Sequence, residues 1–461
     1  MLCKLATTRQ GLVAAALGLG LAVSACAEDA DTPPDDDAEA RERQVPVDQV
    51  NSFLTRERFL YVDTIAQSAT DPDFVAVVGA DPHQPDFGQI ISRTDMPNVG
   101  DEVHHFGYSL DQDRLIVPGL FSGRVHVFDV ETDPFHPQLT AVNEDLVRDS
   151  GYTVPHSVVA LPGGQLGVTM IGSTTTDSAP GGVVLINDHT GAFSAYFGPP
   201  PTDRAPDEIG PRFMYDLDGR AEADRLITTT FGPPALCGVG LDPTCLGNEV
   251  AVWSTSQRKV LQVADLGTNS GALEVRFIEK YGQRRAFINA AGTSALWLAD
   301  DDDKDGFFDF TQVLGPEDGL DIPIDMLLSY DNRVMYISNW FGNTVQQYDI
   351  TDPFHPALID EVDVPHPNML RLSRDNLRLY VTNSLLSPWD NDPDFGPPRN
   401  DRYGIWLFDT DHWHARGMTS ITADGSAWVD FTSVQKATTT GPAGPHMMFF
   451  DPSVRLAPGE H

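Results

Sequence analysis

The stretch FDVETDPFHP at residues 128–137 recurs, with one residue deleted, as YDITDPFHP at residues 348–356. A run typical of a β-strand comes directly before each copy, GRVHV at 123–127 and NTVQQ at 343–347. Alternating apolar and polar residues followed by Asp and Pro are the signature of a strand that ends in a tight turn. Two copies of one strand-and-turn unit therefore lie far apart in the chain.

The repeated unit extends upstream of these strands. Residues 109–117 (SLDQDRLIV) and 329–337 (SYDNRVMYI) each combine a serine, an acidic turn and a second strand. A third copy opens with SRDNLRLYV at 373–381 and reaches GIWLFD at 404–409. The unit consists of a strand, an acidic turn, a second strand, a loop and a third strand that ends in an aromatic residue followed by Asp. This is the pattern of a propeller blade.

The repeat predicts an all-β protein, a seven-bladed β-propeller over residues 47–461. Blades of about 50–60 residues would fill this length with about seven copies. Radial closure also protects strand edges, which an open sheet would expose. A sandwich or a barrel would not require self-similarity at such spacing.

The N-terminus predicts export and lipid anchoring. Residues 1–25 have the basic start and short apolar stretch of a signal peptide. LAVSAC at 21–26 is similar to a bacterial lipobox, which implies cleavage before Cys26 and its lipidation; an ordinary secretory signal with a chance cysteine is the alternative. Residues 26–46 are rich in Asp, Glu, Ala and Pro and predict a lipid-anchored acidic flexible linker. We expect an exported, membrane-anchored lipoprotein on the periplasmic or cell-surface face.

The composition excludes some partners. A formal net charge of −37 argues against nucleic acid, since phosphate binding needs clustered Lys and Arg. It also argues against a basic face for anionic lipids, so membrane contact is expected through the lipid anchor alone.

Two cysteines remain in the exported part of the chain beyond Cys26. Cys237 and Cys245 lie eight residues apart in a loop rich in Gly and Pro. In an oxidising compartment they predict a loop-closing disulfide. A thiolate metal site is the alternative, although two sulfurs alone are a poor set of ligands.

Histidines recur a few residues upstream of the acidic turns, where the first strand of each blade would line a central channel. The candidates for metal ligands are His104, His105, His156, His366 and His446. Converging neutral imidazoles suit copper, zinc, iron or nickel. Adjacent residues on a regular strand face opposite ways, so we expect only one of His104 and His105 to face the channel unless a bulge re-aims the other. The alternative is that each histidine is an ordinary polar residue at a strand end.

An acidic segment, DDDKDGFFD at 301–309, matches the start of a calcium loop. Alternating carboxylates can surround one hard cation, and a glycine permits the sharp turn. The candidate calcium ligands are Asp301, Asp303, Asp305 and Asp309. A solvated hairpin tip is the alternative in so acidic a chain.

Several of these pieces together resemble the selenium-binding protein/methanethiol oxidase family. The matching stretches are MPNVGDEVHH (96–105), DMLLSYDNRVMYISNW (325–340), QYDITDP (347–353), LYVTNSLLSPWD (379–390) and GPH (444–446). The resemblance implies a seven-bladed propeller and copper-dependent oxidation of methanethiol to formaldehyde, hydrogen sulfide and hydrogen peroxide. The histidines on the family's motifs are His104, His105, His156 and His446.

The chain also departs from that family. Phe87 and Gly88 stand where the family has its selenium-linked cysteine, and Val159 stands where a second histidine often follows His156. His366 has no counterpart in the animal members. We therefore keep two hypotheses, a copper oxidase of a small thiol and a non-catalytic propeller lipoprotein that binds a metal or a protein. A third, a calcium-dependent hydrolase or lactonase, would need acidic blade starts, of which Asp325 is one.

Overall fold

The computed structural model describes residues 57–161, 164–173, 179–197, 201, 212–220, 223–239, 244–278, 284–392, 403–414 and 416–452. The chain divides into two units, Met1–Phe53 and Leu54–His461, and all of the described residues belong to the second. The predicted signal peptide (1–25), Cys26 and the acidic linker (26–46) lie outside the described residues.

Strands make up nearly all of the regular structure. The first part of the chain contains β1 (Phe59–Ile65), β2 (Phe74–Gly79), β3 (Ile90–Asp95), β4 (Gly107–Tyr108), β5 (Arg114–Pro118), β6 (Val125–Asp129), β7 (Gln138–Asn143), β8 (Tyr152–Leu161), β9 (Gln165–Ser173), β10 (Gly182–Ile186), β11 (Phe193–Phe197), β12 (Met214–Arg220), β13 (Arg225–Thr230), β14 (Glu249–Ser254) and β15 (Lys259–Asp265). The second part contains β16 (Ala272–Phe277), β17 (Arg285–Ala290), β18 (Ala295–Asp300), β19 (Asp309–Leu314), β20 (Pro323–Leu328), β21 (Val334–Asn339), β22 (Thr344–Asp349), β23 (Ala357–Asp363), β24 (Leu370–Leu372), β25 (Arg378–Thr382), β26 (Gly404–Asp409), β27 (Thr419–Ser420), β28 (Val429–Asp430), β29 (Val434–Gln435), β30 (Thr440–Gly441) and β31 (Gly444–Phe450).

Helical segments are short and lie between strands. They are α1 (Leu146–Ser150), α2 (Ser387–Asp390), a π-helical turn (Ala235–Val239) and two 3₁₀ turns (Ala291–Thr293 and Pro316–Asp318). Within the described ranges, no helix is long and apolar enough to cross a membrane.

Strands that follow one another in the chain form antiparallel sheets. The strand orders are β31-β1-β2-β3, β4-β5-β6-β7, β8-β9-β10-β11, β20-β21-β22-β23 and β24-β25-β26-β27, with β28 also paired to β26 and β29 paired to β30. An eight-stranded sheet has two halves, β12–β15 and β16–β19, joined through the pair Thr230 and Ala272. The first strands of successive groups contact one another, from β4 and β8 through β12, β16 and β20 to β24 and β31. This arrangement confirms the all-β prediction and is propeller-like.

Burial follows the position of each strand in its sheet. All residues of β2 and β21 are buried, because these strands are covered on both faces by neighbouring sheets. The outermost strand β23 is largely exposed and carries Asp360, Glu361 and Asp363. Charged side chains on an outer strand discourage pairing with another chain.

The repeated motifs form the same turn in two different sheets. In the first copy, Asp133 accepts hydrogen bonds from the Phe135 backbone N–H (3.1 Å) and contacts the His136 ring (3.0 Å). In the second copy, Asp352 contacts the Phe354 N–H (3.0 Å) and the His355 ring (2.9 Å) in the same way. The repeated histidines therefore belong to turn geometry.

The last described strand completes the sheet that begins with the first. β31 pairs antiparallel with β1, from Leu60 opposite Phe450 to Ile65 opposite Gly444. Beyond this pairing, one carboxylate oxygen of Asp451 accepts hydrogen bonds from the backbone N–H groups of Arg58 (2.7 Å) and Phe59 (2.9 Å). The side chain of Asp451 thus fastens the two ends of the described chain together.

We predict that Asp451→Ala lowers the free energy of unfolding by about 2 kcal/mol, because two backbone donors lose their acceptor where water has little access. Urea unfolding followed by tryptophan fluorescence measures the change. Asp430→Ala is the matched control, since it also removes two hydrogen bonds, but only within an exposed local turn around Thr432. Equal destabilisation by both substitutions would contradict the closing role of Asp451.

A buried carboxyl group holds α2 in place. Asp390 accepts hydrogen bonds from the Ser384 hydroxyl (2.8 Å) and the Leu385 N–H (3.2 Å), and its side chain is 2% exposed. Burial raises the pKa of Asp390 from 3.8 to about 7, against the lowering effect of these hydrogen bonds. At pH values between these two pKa values, the folded protein therefore keeps a proton on Asp390 that the unfolded chain releases.

Because the folded-state pKa lies above the unfolded value, this proton stabilises the fold at low pH, and the stabilisation is lost as the pH rises toward 7. Between about pH 5 and pH 8, we expect the free energy of unfolding of the unchanged protein to fall by about 2–3 kcal/mol more than that of Asp390→Asn. Urea unfolding at both pH values tests this, with Asp424→Asn in an exposed loop as the control. Parallel pH profiles for all three proteins would show that Asp390 does not keep its proton.

Candidate metal centre

Four of the predicted histidines form one buried cluster. His104 and His105 precede β4, His156 lies in β8 and His446 lies in β31. The ring centroid of His104 is 3.8 Å from that of His446 and 4.9 Å from that of His156. The rings of His105 and His156 are 4.1 Å apart. Each of the four side chains is at most 3% exposed.

Backbone irregularities aim these rings at one another. His105 has a φ of +45°, in the left-handed region, so His104 and His105 do not alternate as they would on a regular strand. This irregular backbone is the kind of exception that the prediction allowed for, and the rings of His104 and His105 stack with centroids 4.7 Å apart. His156 and His446 lie where the pairing registers of β8 with β9 and of β1 with β31 shift, and such shifts re-aim side chains.

Two ring orientations are set by backbone carbonyls. The Nδ1–H of His156 donates to the Tyr215 carbonyl (2.9 Å), and that of His446 donates to the Ser384 carbonyl (2.8 Å). In both rings this leaves the lone pair on Nε2, and neither Nε2 has a hydrogen-bond partner among the described residues. Nδ1 of His104 is also buried without a partner. A carbonyl on one ring nitrogen with the other nitrogen free is the arrangement of a metal-binding histidine.

The cluster is uncharged at neutral pH. Burial lowers the pKa of His104 and His105 well below 6.5, and the neighbouring histidines lower it further. Burial also lowers the pKa of His156 to about 3 and that of His446 to about 4. Neutral imidazole is the form that binds metals.

These residues fit a metal ion. Ring nitrogens of His104, His105 and His156 lie within 4.8 Å of one another, and His446 stacks on His104. A set of imidazole nitrogens suits copper, zinc, iron or nickel and does not suit calcium, which prefers oxygen. The buried nitrogens without partners are the atoms that a metal would contact.

His366 lies apart from this cluster. It has a φ of +46°, its backbone N–H donates to the Asn343 side chain (3.0 Å), and its ring packs edge-on against Trp340 at 4.8 Å. Within the described ranges, no ring contact joins His366 to the four clustered histidines. The structure therefore does not bring His366 to the centre where the sequence predicted it, because the loop before β24 turns its ring toward Trp340.

On one side of the histidines lies a charged network that sequence reasoning missed. The Arg276 guanidinium contacts carboxylates of Asp216 (2.7 Å), Glu274 (2.7 Å) and Asp325 (3.5 Å). Glu274 in turn lies 4.0 Å from Nδ1 of His105. Asp325, considered above for a calcium hydrolase, here contacts a guanidinium group and accepts a hydrogen bond from the Leu370 N–H (2.8 Å). The sequence EVR at 274–276 places Glu274 and Arg276 on the same face of a strand, but no local pattern connects them to Asp216 or Asp325.

On the other side lies a large apolar cavity of about 670 Å³, to which His104 and His156 contribute. The charged side has a cavity of only about 110 Å³, to which His105 contributes. The histidine cluster thus has one apolar face and one charged face.

The cysteine loop forms part of the wall of the apolar cavity. Cys237 and Cys245 are joined by a disulfide with their Cα atoms 5.7 Å apart, so their sulfurs do not provide a thiolate metal site. Pro234, Ala235 and Leu246, beside the two cysteines, line the cavity.

The acidic loop gathers three of its four candidate ligands. Carboxylate oxygens of Asp301, Asp303 and Asp305 lie within 4.8 Å of one another. Asp301 is buried and already contacts Arg284 at 3.0 Å. Asp309 instead lies in β19, where it pairs with Asp300. Calcium binding at this loop stays a prediction.

Comparisons with known proteins identify the family of this chain. A profile described as "56kDa selenium binding protein (SBP56)" matches residues 44–452. The methanethiol oxidase of Danio rerio is 31% identical over 386 residues, which cover 73% of this chain and 82% of that protein. Selenium-binding protein 2 of Arabidopsis thaliana is 29% identical over 399 residues, which cover 73% of this chain and 80% of that protein.

A solved structure supports the fold. The X-ray structure of a hypothetical selenium-binding protein from Sulfolobus tokodaii superposes with a TM-score of 0.73 at 24% identity, over 88% of this chain and 96% of that one. Because the family profile spans most of the sequence, this chain belongs to the 56kDa selenium binding protein (SBP56) family.

Proposed function

We propose that this protein is a copper-dependent oxidase of a thiol of the methanethiol type. The observation that carries the proposal is the set of buried ring nitrogens on His104, His156 and His446 that have no hydrogen-bond partner. The relative from Danio rerio is named methanethiol oxidase. The proposed reaction converts methanethiol, dioxygen and water into formaldehyde, hydrogen sulfide and hydrogen peroxide.

The residues of this chain have distinct roles in the proposal. His104, His105, His156 and His446 would hold the copper, which supplies one-electron chemistry with dioxygen when bound. The carbonyls of Tyr215 and Ser384 keep the Nδ1 protons of His156 and His446 in place, so that their Nε2 atoms face the metal. The apolar wall beside His104 keeps water away from the reacting sulfur.

We propose further that the antiparallel groups described above are the blades of a seven-bladed propeller, with the histidines at its centre. The contacts between the first strands of successive groups support this arrangement. A propeller brings residues from distant parts of the chain to one axis, which explains how His104, His156 and His446 come to meet.

Metal content tests the copper centre. The copper-loaded protein should hold about one copper per chain, and His104→Ala/His156→Ala/His446→Ala should hold less than about a tenth of that, because three of four imidazoles are gone. Plasma emission spectrometry after dialysis measures this. The matched control is His136→Ala/His355→Ala/His414→Ala, which removes three exposed histidines that contact aspartates in loops and should leave the copper content unchanged.

The copper-loaded protein is then assayed for formaldehyde, sulfide and peroxide release from methanethiol. If copper binds at the cluster but none of these products is released, the hypothesis that remains is a metal-binding propeller without oxidase activity. A well-folded protein that takes up no copper would exclude the oxidase and support the alternative, a non-catalytic lipoprotein that binds another metal or a protein partner.

We propose that the chain is exported and anchored through lipid on Cys26, since LAVSAC at 21–26 has small residues before the cysteine. In a bacterial expression host, Cys26→Ser should move the mature protein from the detergent phase to the aqueous phase and remove the mass of the acyl groups. Phase partition and intact mass measure this, with Cys3→Ser as the control because Cys3 lies within the signal segment. Retention of Cys26→Ser in the detergent phase would contradict lipid anchoring at this residue.

A further inference from the structure

The apolar cavity beside the histidines is far larger than methanethiol. Its volume is about 670 Å³, within the range of about 300–1,000 Å³ that holds drug-sized ligands. Methanethiol has one carbon and one sulfur, and at about 30 Å³ for each water-sized unit it fills about a tenth of this space. A substrate of that size would leave most of the wall without contact.

The chemistry of the wall specifies an apolar occupant. Its side chains include Ile171, Phe231, Leu273, Ile324, Leu386 and Trp389. Among the described residues that line the cavity, none is Asp, Glu, Lys or Arg, although the chain has 67 acidic residues. Burying a charged or strongly polar group against such a wall without partners is unfavourable.

The polar end of the cavity is formed by imidazoles. His104 and His156 both line it, and each has a buried ring nitrogen without a hydrogen-bond partner. A molecule with an alkyl chain along the wall therefore has its head group at the histidine cluster. A thiol is the head group that a soft metal held by imidazoles binds through sulfur.

We propose that the substrate is an apolar thiol larger than methanethiol, an alkanethiol of about four to eight carbons, with its sulfur at His104 and His156 and its chain in the apolar cavity. This inference rests on the proposed function and specifies its substrate class. Pro234, Ala235 and Leu246, which flank the disulfide of Cys237 and Cys245, contribute to the wall of the chain-binding part.

The reaction balances for any primary thiol. RCH₂SH, O₂ and H₂O give RCHO, H₂S and H₂O₂. The C–S bond and one C–H bond of the same carbon break, a C=O bond forms with oxygen from water, and the released protons go to the sulfide and the peroxide. The carbon loses two electrons, which reduce dioxygen to peroxide, and the sulfur leaves as sulfide.

Binding by the metal-free protein is the first measurement. Calorimetric titration of the mature chain under nitrogen with ethanethiol, butanethiol and hexanethiol should show a dissociation constant that falls about fourfold for each added methylene, as expected when each methylene becomes fully buried. An affinity that does not change with chain length, or that decreases, would overturn the proposal.

Two substitutions, each in a different strand, would fill part of the cavity. Ile171→Trp in β9 and Leu273→Trp in β16 each add a bulky ring to the wall, and each should weaken hexanethiol binding at least tenfold while changing ethanethiol binding less than threefold. Leu358→Trp, the same kind of change at a residue that is 53% exposed in β23, is the matched control and should bind as the unchanged protein does. Circular dichroism identifies any variant that has not folded, and one folded filling variant is sufficient for the test.

The copper-loaded protein separates failure of this inference from failure of the proposed function. Faster release of sulfide from hexanethiol than from methanethiol, at equal concentration, supports both. Oxidation of methanethiol alone, without chain-length-dependent binding, keeps the oxidase and overturns the larger substrate. Chain-length-dependent binding without oxidation of any thiol supports the cavity as an apolar-thiol site and overturns the oxidase.

Discussion

The pairing of β31 with β1 is the interaction on which the rest of the structure depends. It joins residues almost 400 positions apart in the sequence, as the hydrogen bonds from Arg58 and Phe59 to Asp451 show. The same strand carries His446, whose ring stacks on His104 at 3.8 Å. A chain in which this pairing opened would lose the sheet edge and one wall of the histidine cluster together. The stability of the fold and the geometry of the centre are thus properties of the same strand.

The cluster places an energetic cost at the centre of the fold. A buried polar atom without a partner costs about 1–3 kcal/mol, and three ring nitrogens of the cluster are in that state. Protonation would not relieve this cost, because burial holds the pKa of His156 at about 3 and that of His446 at about 4. The hydrogen bonds to the carbonyls of Tyr215 and Ser384 also hold the rings of His156 and His446, so their Nε2 lone pairs do not turn toward another hydrogen-bond donor. A metal ion bound to these nitrogens would offset this cost, which is a physical argument for the proposed metal centre.

The sequence contained the strand-and-turn repeat, so the all-β fold and the meeting of His104, His156 and His446 could be predicted from it. Four features could not. His104 and His105 both lie in the cluster because His105 has a φ of +45°. The position of His366 depends on its own φ of +46°. The Arg276 network joins β12, β16 and β20, which no local pattern connects. Cavity volume is the space left by side chains from many strands, and it has no signature in any one of them.

The histidine cluster has one charged face and one apolar face, so its surroundings are asymmetric. On the charged face, the carboxylates of Asp216, Glu274 and Asp325 surround the guanidinium of Arg276, and Arg220 and Arg371 also line the small cavity there. Glu274 lies 4.0 Å from Nδ1 of His105 and so connects this network to the cluster, and burial raises the pKa of Glu274 well above its usual value. On the apolar face, none of the described residues that line the cavity is Asp, Glu, Lys or Arg, so this wall favours neutral molecules. Under the proposed function, the histidines would hold the metal, and an apolar substrate would reach it through the apolar cavity.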